Sequence, residues 1–313
     1  TRISNRGKAM STATWQIGDV KVTRIIEIRN LRTPDFVFRD LSREDVIGQS
    51  WLQPHFATDD GRLMSFTQAF VLECGSRRII VDTCIGNDKQ RRNEAWHDLH
   101  GHFLSDLAEA GYPPESIDTV LCTHMHVDHV GWNTRLVDDQ WVPTFPNARY
   151  LFGREEWTHW SNEVDSELDG DVEPHIAQNV LEARLVHQDS VRPIIDAGLH
   201  QVVDSTHKLT DEISLQPTPG HTPGHVSIRI ESRDQHAVIT GDLMHHPIQC
   251  AMPEVNSNFD FDLEQAITTR KGFLTRYADR PVLVLGTHFA GPTAGWFESH
   301  GSSWRFSVES PHD

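Results

Sequence analysis

The stretch CTHMHVDHVGW, residues 122–132, carries three histidines and one aspartate within six positions. It follows a short apolar, β-branched run that is typical of a strand buried on both faces. In an extended chain, side chains two residues apart point the same way, so His124 and His126 can reach one metal ion. Asp128 and His129 follow where the chain turns, and they can face a second ion. We therefore predict half of a metal centre here, with a surface histidine cluster as the weaker alternative.

Three other stretches place ligand-type side chains just past predicted strands. They are TPGHTPGH (218–225) with His221, ITGDLMHH (239–246) with Asp242, and LGTHF (285–289) with His288. Each of these residues is followed by a turn or lies beside a glycine. Loops held by a rigid sheet are where binding and catalytic sites are usually built, so the four stretches are expected to meet.

Two metal ions account for all of these residues. We expect one ion on His124, His126 and His221, the other on Asp128, His129 and His288, and Asp242 as a bridge. Imidazole and carboxylate ligands without thiolate suit Zn²⁺ best, while Fe, Mn and Co stay open. Such ligand sets leave each ion a free position, which is typical of a catalytic site.

The motif HMHVDH resembles the HxHxDH signature of the metallo-β-lactamase-fold superfamily. Four further motifs resemble those of that family in the same order: VDTCIGN (81–87), TPGHTPGH, ITGD and GTHF. The resemblance covers about residues 20–290. It implies an α/β fold, a four-layer αββα sandwich with a dinuclear metal site at the edge of the two sheets. It maps the family's ligands onto the seven residues above, and implies that Asp82 and His225 support the ligands without binding metal.

Departures from other branches of the superfamily narrow the function. Flavodiiron relatives have Glu at the position of His126 and an added flavin domain, so an iron-dependent oxidoreductase is only the non-hydrolase alternative. The β-lactam-degrading branch often has Cys or Ser at the position of Asp242, and glyoxalase-type thioesterases carry a basic C-terminal region. The chain is most similar to the acyl-homoserine-lactonase and methyl-parathion-hydrolase-like branch, especially in GDLMHHPIQ.

This resemblance implies a hydrolase that uses a hydroxide held by two metal ions to open a lactone or cleave a related ester, with a role in quorum quenching. Organophosphate triesters, β-lactams and thioesters are alternative substrates of the same site. We expect Asp128 to orient the nucleophile. Some lactonases have a Tyr at the position of His245, so His245 is a candidate proton or hydrogen-bond donor, unless it only packs.

Aromatic residues crowd the loops near these motifs. We predict that Trp132, Phe289 and His246 contact the substrate. For Trp141, Phe145, Trp157 and Trp160 we favour core packing. Residues 36–66 resemble an extended loop of this branch that caps the site or joins a dimer partner, with Trp51 and Phe56 as its anchors.

The 313 residues carry a net charge of −17. An acidic chain repels phosphate backbones, so we expect a small-molecule substrate and no nucleic acid. The apolar runs are far shorter than the roughly 18 residues that span a bilayer, so no membrane association is expected. Residues 1–14 read as a polar arm without a signal peptide, and residues 15–313 as one domain. Four cysteines without close pairing indicate free thiols in the cytoplasm.

The spacing of apolar residues and the positions of turn residues predict the helices and strands between the motifs. Strands are expected at 20–28, 66–74, 77–84, 117–122 and 148–152, and again in several short runs from residue 200, including HKLT at 207–210. Helices are expected at 97–111, 154–162, 173–187 and 262–279.

Overall fold

Two runs of strands form two separate sheets in the computed structural model, which describes residues 12–165 and 174–309. The strands are β1 Thr12–Ile17, β2 Val20–Arg32, β3 Leu63–Cys74, β4 Arg77–Val81, β5 Thr119–Leu121, β6 Thr134–Val137, β7 Gln140–Pro143, β8 Arg149–Gly153, β9 His200–Val203, β10 Ile213–Pro217, β11 Val226–Ser232, β12 Gln235–Ile239, β13 Val282–Leu285, β14 Ala294–His300 and β15 Ser303–Ser307. The first sheet has the order β1-β2-β3-β4-β5-β8-β9, and the second runs from β10 to β15 in sequence order. Strands β6 and β7 form a separate hairpin.

Helices cover the outer face of each sheet. They are α1 Pro34–Val37, α2 Arg43–Ile47, α3 Phe103–Glu109, α4 Arg154–Asp165, α5 Pro174–Val186, α6 Arg192–Asp196, α7 Ile248–Ala251 and α8 Leu263–Tyr277. A π-helical turn, His187–Val191, joins α5 to α6. None of the helices in the described ranges is long and apolar enough to cross a membrane.

Three apolar clusters hold the layers together. Between the sheets, side chains such as Leu72 and Val81 from the first sheet pack with Ile228 and Ile239 from the second. A second cluster joins the first sheet to α3, α5 and α6, and a third joins the second sheet to α8. Each sheet therefore buries both faces, which explains the continuous apolar runs in its central strands. The predicted αββα sandwich is confirmed.

The loops that carry the motifs meet at one edge because the strands before them end there. Strands β12 and β13 are parallel, so the residues that follow them lie side by side, and Thr240 N donates to Leu285 O at 3.1 Å. The loop after β5 reaches across to the second sheet, where Val226 N donates to Thr123 O at 3.1 Å. This bond joins the two sheets at the edge where the motifs collect.

Two glycines of the motifs are required by close packing. A Cβ on Gly131 would lie 1.8 Å from Ile85 O, so no side chain fits there. Gly241 has φ +58, and its Cβ would lie 2.4 Å from His225 Nε2. Both glycines therefore let a ligand loop approach its neighbour closely.

Several sequence predictions about elements were wrong in extent. The helix predicted for 97–111 covers only Phe103–Glu109. Asp98, with φ +49, cannot belong to a helix and donates its backbone N–H to Lys89 O. The run HKLT makes a single bridge, Lys208 with Ser214, and is no strand. Strands β1, β6, β7, β14 and β15 were not predicted.

The N-terminal predictions fall partly outside the described residues. The polar arm was expected over residues 1–14, of which 1–11 are not described, while Thr12 begins β1 and pairs with Ile25. The segment 36–66 contains α2, a 3₁₀ turn at Ser50–Leu52 and the start of β3. Phe56 is buried in the third cluster and Trp51 packs partly buried against it, so both anchor this segment to the core of the same chain.

Candidate metal centre and cavity

The first predicted ligand group comes together at the sheet edge. Nδ1 of His126 lies 3.0 Å from Nε2 of His124 and 2.9 Å from Nε2 of His221. His124 and His126 come from the loop after β5, and His221 from the loop after β10. Three ring nitrogens from two loops therefore converge on one point, which is what a shared ion requires.

The second group lies beside the first. Nε2 of His129 is 3.5 Å from Asp128 Oδ1, and Nε2 of His288 is 3.6 Å from Asp128 Oδ2. The Asp242 carboxylate lies between the groups. Its Oδ2 is 3.5 Å from His221 Nε2 and 3.3 Å from His129 Nε2, and its Oδ1 is 3.1 Å from His288 Nε2. All seven predicted ligands are thus brought together, with Asp242 at the position of a bridge.

Buried oxygen acceptors determine which ring nitrogen of His288 and His221 carries the proton. Nδ1 of His288 lies 2.8 Å from Phe66 O, and a carbonyl oxygen can only accept, so His288 holds its proton on Nδ1. Nδ1 of His221 likewise lies 2.9 Å from the Asp260 carboxylate. Both residues therefore present the lone pair of Nε2 to the centre. This is the arrangement that outer partners give to metal-binding histidines.

Asp82 supports a histidine in each group. Its Oδ2 lies 3.0 Å from His129 Nδ1, and it accepts the hydroxyl of Thr123, whose Oγ1 lies 3.0 Å from His124 Nδ1. His225 has a different role. Its Nδ1 lies 3.0 Å from Thr218 O, while its Nε2 accepts the backbone N–H of Asp242. Both ring nitrogens of His225 are engaged away from the centre, so it positions Asp242.

The charges around the ligand cluster favour a bound cation. Burial alone lowers the pKa of His124, and the neighbouring imidazole of His129 lowers it further, which keeps His124 neutral. Burial also opposes a charged His129, but the carboxylates of Asp242, Asp82 and Asp128 outweigh it and raise the pKa of His129 well above its usual value. Three carboxylates around a buried imidazole therefore demand a cation, either a proton or a metal.

The donor atoms fit a pair of divalent cations. Nε2 of His129 is buried with no hydrogen-bond partner among the described residues. Leaving a buried polar atom unpaired costs about 1–3 kcal/mol, so such an atom facing other ligand atoms points to a missing partner. Imidazole and carboxylate donors without thiolate are the set that Zn²⁺ accepts readily. The residues present therefore fit the metal ions that the sequence predicts.

His245 lies next to this cluster. It is 6% exposed, and neither of its ring nitrogens has a hydrogen-bond partner in the described part of the chain. Its Nε2 is 3.3 Å from Asp242 Oδ2, and its ring is parallel to that of His288 at 5.9 Å. His246 is bound elsewhere, with Nε2 2.8 Å from Phe56 O, although it also lines the cavity edge. Of these two histidines, only His245 turns a ring nitrogen to the centre, where it forms a further possible ligand group with His221 and Asp242.

Two predicted substrate contacts were wrong. Trp132 is 4% exposed, stacks on Phe103 at 5.8 Å and donates its indole N–H to Glu27, which lies at a bulge in β2. Phe289 is fully buried and packs edge-on against Phe306 at 5.0 Å. Both follow ligands in the sequence, but the tight turns after those ligands direct the side chains into the core.

A cavity of about 1110 Å³ opens above the ligand cluster. Its aromatic lining consists of Phe36, Trp96, His159, Trp160, Phe259 and Phe261. Sequence reasoning assigned Trp160 to the core, but its ring lies 5.4 Å from that of His126 at the cavity wall. Phe259 and Phe261 stand in a loop without periodicity, so no pattern indicated them.

Two buried carboxylates at the site were also missed. Glu156 of α4 accepts from Met125 N and from the Thr222 hydroxyl, and so it fixes two ligand loops. Asp260 binds His221 and pairs with Arg270 of α8. Glu156 directly follows Arg154 and Glu155 in a polar helix, so no sequence pattern set it apart. Asp260 lies far from His221 in the sequence, so spacing could not reveal it.

Comparison with known proteins agrees with this site. The family model of the metallo-β-lactamase superfamily matches residues 64–309. The N-acyl homoserine lactonase AiiA of Bacillus thuringiensis subsp. kurstaki is 23% identical over 197 residues, which are 58% of this chain and 66% of that protein. A probable metallo-hydrolase, YybB of Bacillus subtilis, is 26% identical over 45% of this chain and 55% of its own.

Two solved structures share the fold. The hydrolase AbOPH, described as a β-lactamase superfamily member, aligns with a TM-score of 0.78 and 24% identity over 98% of this chain and all of its own. AidC, described as a dizinc quorum-quenching lactonase, aligns with a TM-score of 0.72 and 20% identity over 96% of this chain and 98% of its own. The family model covers well over half of the chain, and the fold and ligand cluster agree with it. The chain therefore belongs to the metallo-β-lactamase superfamily.

Proposed function

We propose that the protein is a metal-dependent hydrolase that opens a lactone or cleaves a related ester. The observation that carries the proposal is the pair of ligand groups that share Asp242 at the base of the cavity. Relatives named as lactonases support the choice of substrate. When bound, two divalent cations, Zn²⁺ in the first instance, would supply an activated water and polarise the scissile carbonyl.

Asp128 is the residue we assign to the nucleophile. Its side chain is 15% exposed and lines the cavity, whereas that of Asp242 is 4% exposed. A carboxylate at this position accepts a hydrogen bond from the attacking water and holds it in line with the carbonyl. Asp242 in turn is held by His225 through its backbone, so it stays between the two ligand groups.

His245 is the residue we assign to the leaving oxygen. Its Nε2 lies 3.3 Å from Asp242 Oδ2 and its Nδ1 has no hydrogen-bond partner among the described residues, so the ring can donate an N–H to the substrate. A donor that faces the developing negative charge stabilises it, and proton transfer completes departure of the alcohol. Stacking on His288 and the contact of its ring with Phe38 fix the orientation of the imidazole.

We also propose a cytoplasmic location and a homodimer. Cys74, Cys84, Cys122 and Cys250 are all free and buried, which suits a reducing compartment. The segment 36–66 leaves the apolar side chain of Ile47 exposed outside the cavity, which supports contact with a second copy. If homoserine lactones are the substrates, the reaction would quench quorum sensing.

A substrate screen of the metal-loaded protein tests the function. Metal content per chain is measured first, and then turnover of lactones, aryl esters, phosphotriesters, thioesters and a chromogenic cephalosporin. We expect lactone or ester turnover that a chelator abolishes and Zn²⁺ restores. His124→Ala should lose both metal and turnover, while His300→Ala, at an exposed strand end, should keep both. Turnover that persists without metal, or oxygen consumption by an iron-loaded sample in place of hydrolysis, would contradict the proposal.

A further inference from the structure

The cavity contains a cationic region that the proposed reaction does not explain. Arg32, at the end of β2, and Arg39, just after α1, both line it. Polar side chains of Asn30, Ser65 and Thr67 line the same region. The lining also carries acidic residues, but Asp128, Asp242 and Asp260 belong to the ligand cluster and its surroundings, and no ion pair among the described residues joins Glu163 or Glu182 to Arg32 or Arg39.

Arg32 has no carboxylate partner among the described residues. Its Nη2 reaches only the neutral Asn30 Oδ1 at 3.4 Å, and its guanidinium carbon lies 4.8 Å from the ring centre of Phe36. The side chain is half-buried, and burial lowers the pKa of its guanidinium. A partly desolvated guanidinium lacking a carboxylate is costly, so it is expected to meet an anion when the cavity is filled.

Arg39 adds a second positive charge to this region. Its backbone is held by the bond from Arg39 N to Asn256 O at 2.9 Å, and its side chain is exposed. It has no ion pair with any residue in the described ranges. The third arginine of the cavity, Arg92, differs because its backbone N–H donates to Glu182, which places an acid close by. The free positive charge therefore lies at Arg32 and Arg39.

An apolar strip connects the ligand cluster to Arg32. The ring of Phe259 lies 6.3 Å from that of His245, and the ring of Phe36 lies 6.4 Å from that of Phe259. The guanidinium of Arg32 lies over Phe36. Backbone contacts hold the strip, since Asn258 N donates to Val37 O at 2.9 Å. A linear substrate with its ester at the cluster can thus run along two aromatic rings and end at a cation.

We propose that the substrate is an ester or lactone whose acyl chain ends in a carboxylate, which Arg32 and Arg39 bind. This inference rests on the proposed hydrolase function and names its substrate class. Hydrolysis breaks the acyl carbon–oxygen bond. The hydroxyl of water joins the carbonyl carbon and the other proton of water goes to the leaving oxygen. An open-chain ester therefore gives a dicarboxylate and a separate alcohol, whereas a lactone gives one dicarboxylate that carries the new hydroxyl.

Matched esters test the proposal directly. The probes are p-nitrophenyl monoesters of linear dicarboxylic acids of increasing length, and neutral p-nitrophenyl alkanoates of the same lengths. We expect wild type to favour the carboxylated ester at one length. Arg32→Gln with Arg39→Gln should lower its kcat/KM by about tenfold or more, as expected for lost charged hydrogen bonds, and leave the neutral ester unchanged. Arg276→Gln, on the exposed side of α8, is the matched control and should change neither.

Three results would overturn the proposal. The first is equal turnover of charged and neutral esters by wild type at every length, and the second is an equal loss of both activities in the double variant. A drop in unfolding free energy without loss of discrimination would instead show that the arginines pair within the chain, which also overturns it.

Equilibrium binding distinguishes failure of the hydrolase proposal from failure of the carboxylate site. Calorimetry of the metal-loaded protein compares a linear dicarboxylate with the monocarboxylate of the same length, because both can bind at the metals. Wild type should bind the dicarboxylate more tightly than the monocarboxylate. The double variant should bind the two compounds with equal affinity. If no ester is cleaved but this difference appears, the hydrolase proposal fails and the carboxylate site stands. If no difference appears, the carboxylate site fails.

Discussion

The Asp82 carboxylate lies 3.0 Å from Nδ1 of His129, and both side chains are buried. The same carboxylate accepts the backbone N–H and the hydroxyl of Thr123, and that hydroxyl contacts His124. One residue directly after β4 thus sets the ring orientation of a histidine in each ligand group. Loss of the Asp82 carboxylate should therefore weaken metal binding first and slow hydrolysis only as a consequence.

Replacing Asp82 by Asn should weaken metal binding. An amide cannot accept all of these donors, so the Nε2 atoms of His129 and His124 would be less well fixed. We expect metal affinity to fall by about 10- to 100-fold, as is typical when outer partners of metal-binding histidines are removed. Competition with a chromophoric chelator measures it. Asp211→Asn, at a side chain 99% exposed, is the control, and equal affinities for the two variants would contradict the role of Asp82.

Replacing His245 by Ala should lower kcat with little change in metal content. A general acid or hydrogen-bond donor in the transition state contributes about 10²- to 10⁴-fold to rate. His245→Tyr keeps a donor at the position and should recover part of the loss. Metal content by elemental analysis decides between two roles. If His245→Ala loses metal together with activity, His245 is a ligand and its assignment to the leaving oxygen is wrong.

The sequence predicted the ligand cluster because its members stand at fixed spacings or in short motifs. The six-residue run from His124 to His129 follows a strand whose apolar pattern is unmistakable. Fold class followed from the same strands. The seven predicted ligands lie in one cluster, because each strand before them ends at the same edge.

What surrounds the cluster depends on long-range contacts that spacing does not encode. Phe36 and Phe259 meet although more than two hundred residues separate them. Trp132 lies next to a ligand loop in the sequence, yet the 3₁₀ turn at Gly131–Asn133 directs it onto Phe103 in the core. Nearness in sequence was therefore a poor guide to the cavity wall, where side-chain direction decides.

Stability should depend on pH through Lys89. Its ammonium is fully buried, lies 2.8 Å from Thr134 Oγ1, 3.4 Å from Asp189 and 3.8 Å from the ring centre of Trp141. Burial lowers the pKa of Lys89 to about 7, against the opposing effect of Asp189. Between about pH 7 and the usual lysine value near 10.4, the unfolded chain binds the proton and the folded chain releases it.

The unfolding free energy of wild type relative to Lys89→Met should therefore rise with pH across this range. The slope contributed by one group is at most about 1.4 kcal/mol per pH unit. Urea unfolding of both proteins in the presence of chelator measures the difference. Lys271→Met, which removes an exposed pair with Glu254, should show no such slope. A pH-independent difference between wild type and Lys89→Met would mean that Lys89 stays charged when buried.

Gly131→Ala should be strongly destabilising although its φ needs no glycine. The new Cβ would lie 1.8 Å from Ile85 O and 2.7 Å from Cys84 O, and both are backbone atoms that cannot move aside alone. The ligand loop would have to shift away from the turn after β4, so metal affinity should fall as well. We expect a loss of about 3 kcal/mol or more, at the upper end for overpacking. Gly272→Ala, on the exposed side of α8 with nothing within 4 Å, should instead stabilise by about 0.5–1 kcal/mol. Thermal and urea unfolding of the two variants give the comparison, and a Gly131→Ala protein as stable as wild type would refute the close approach of these loops.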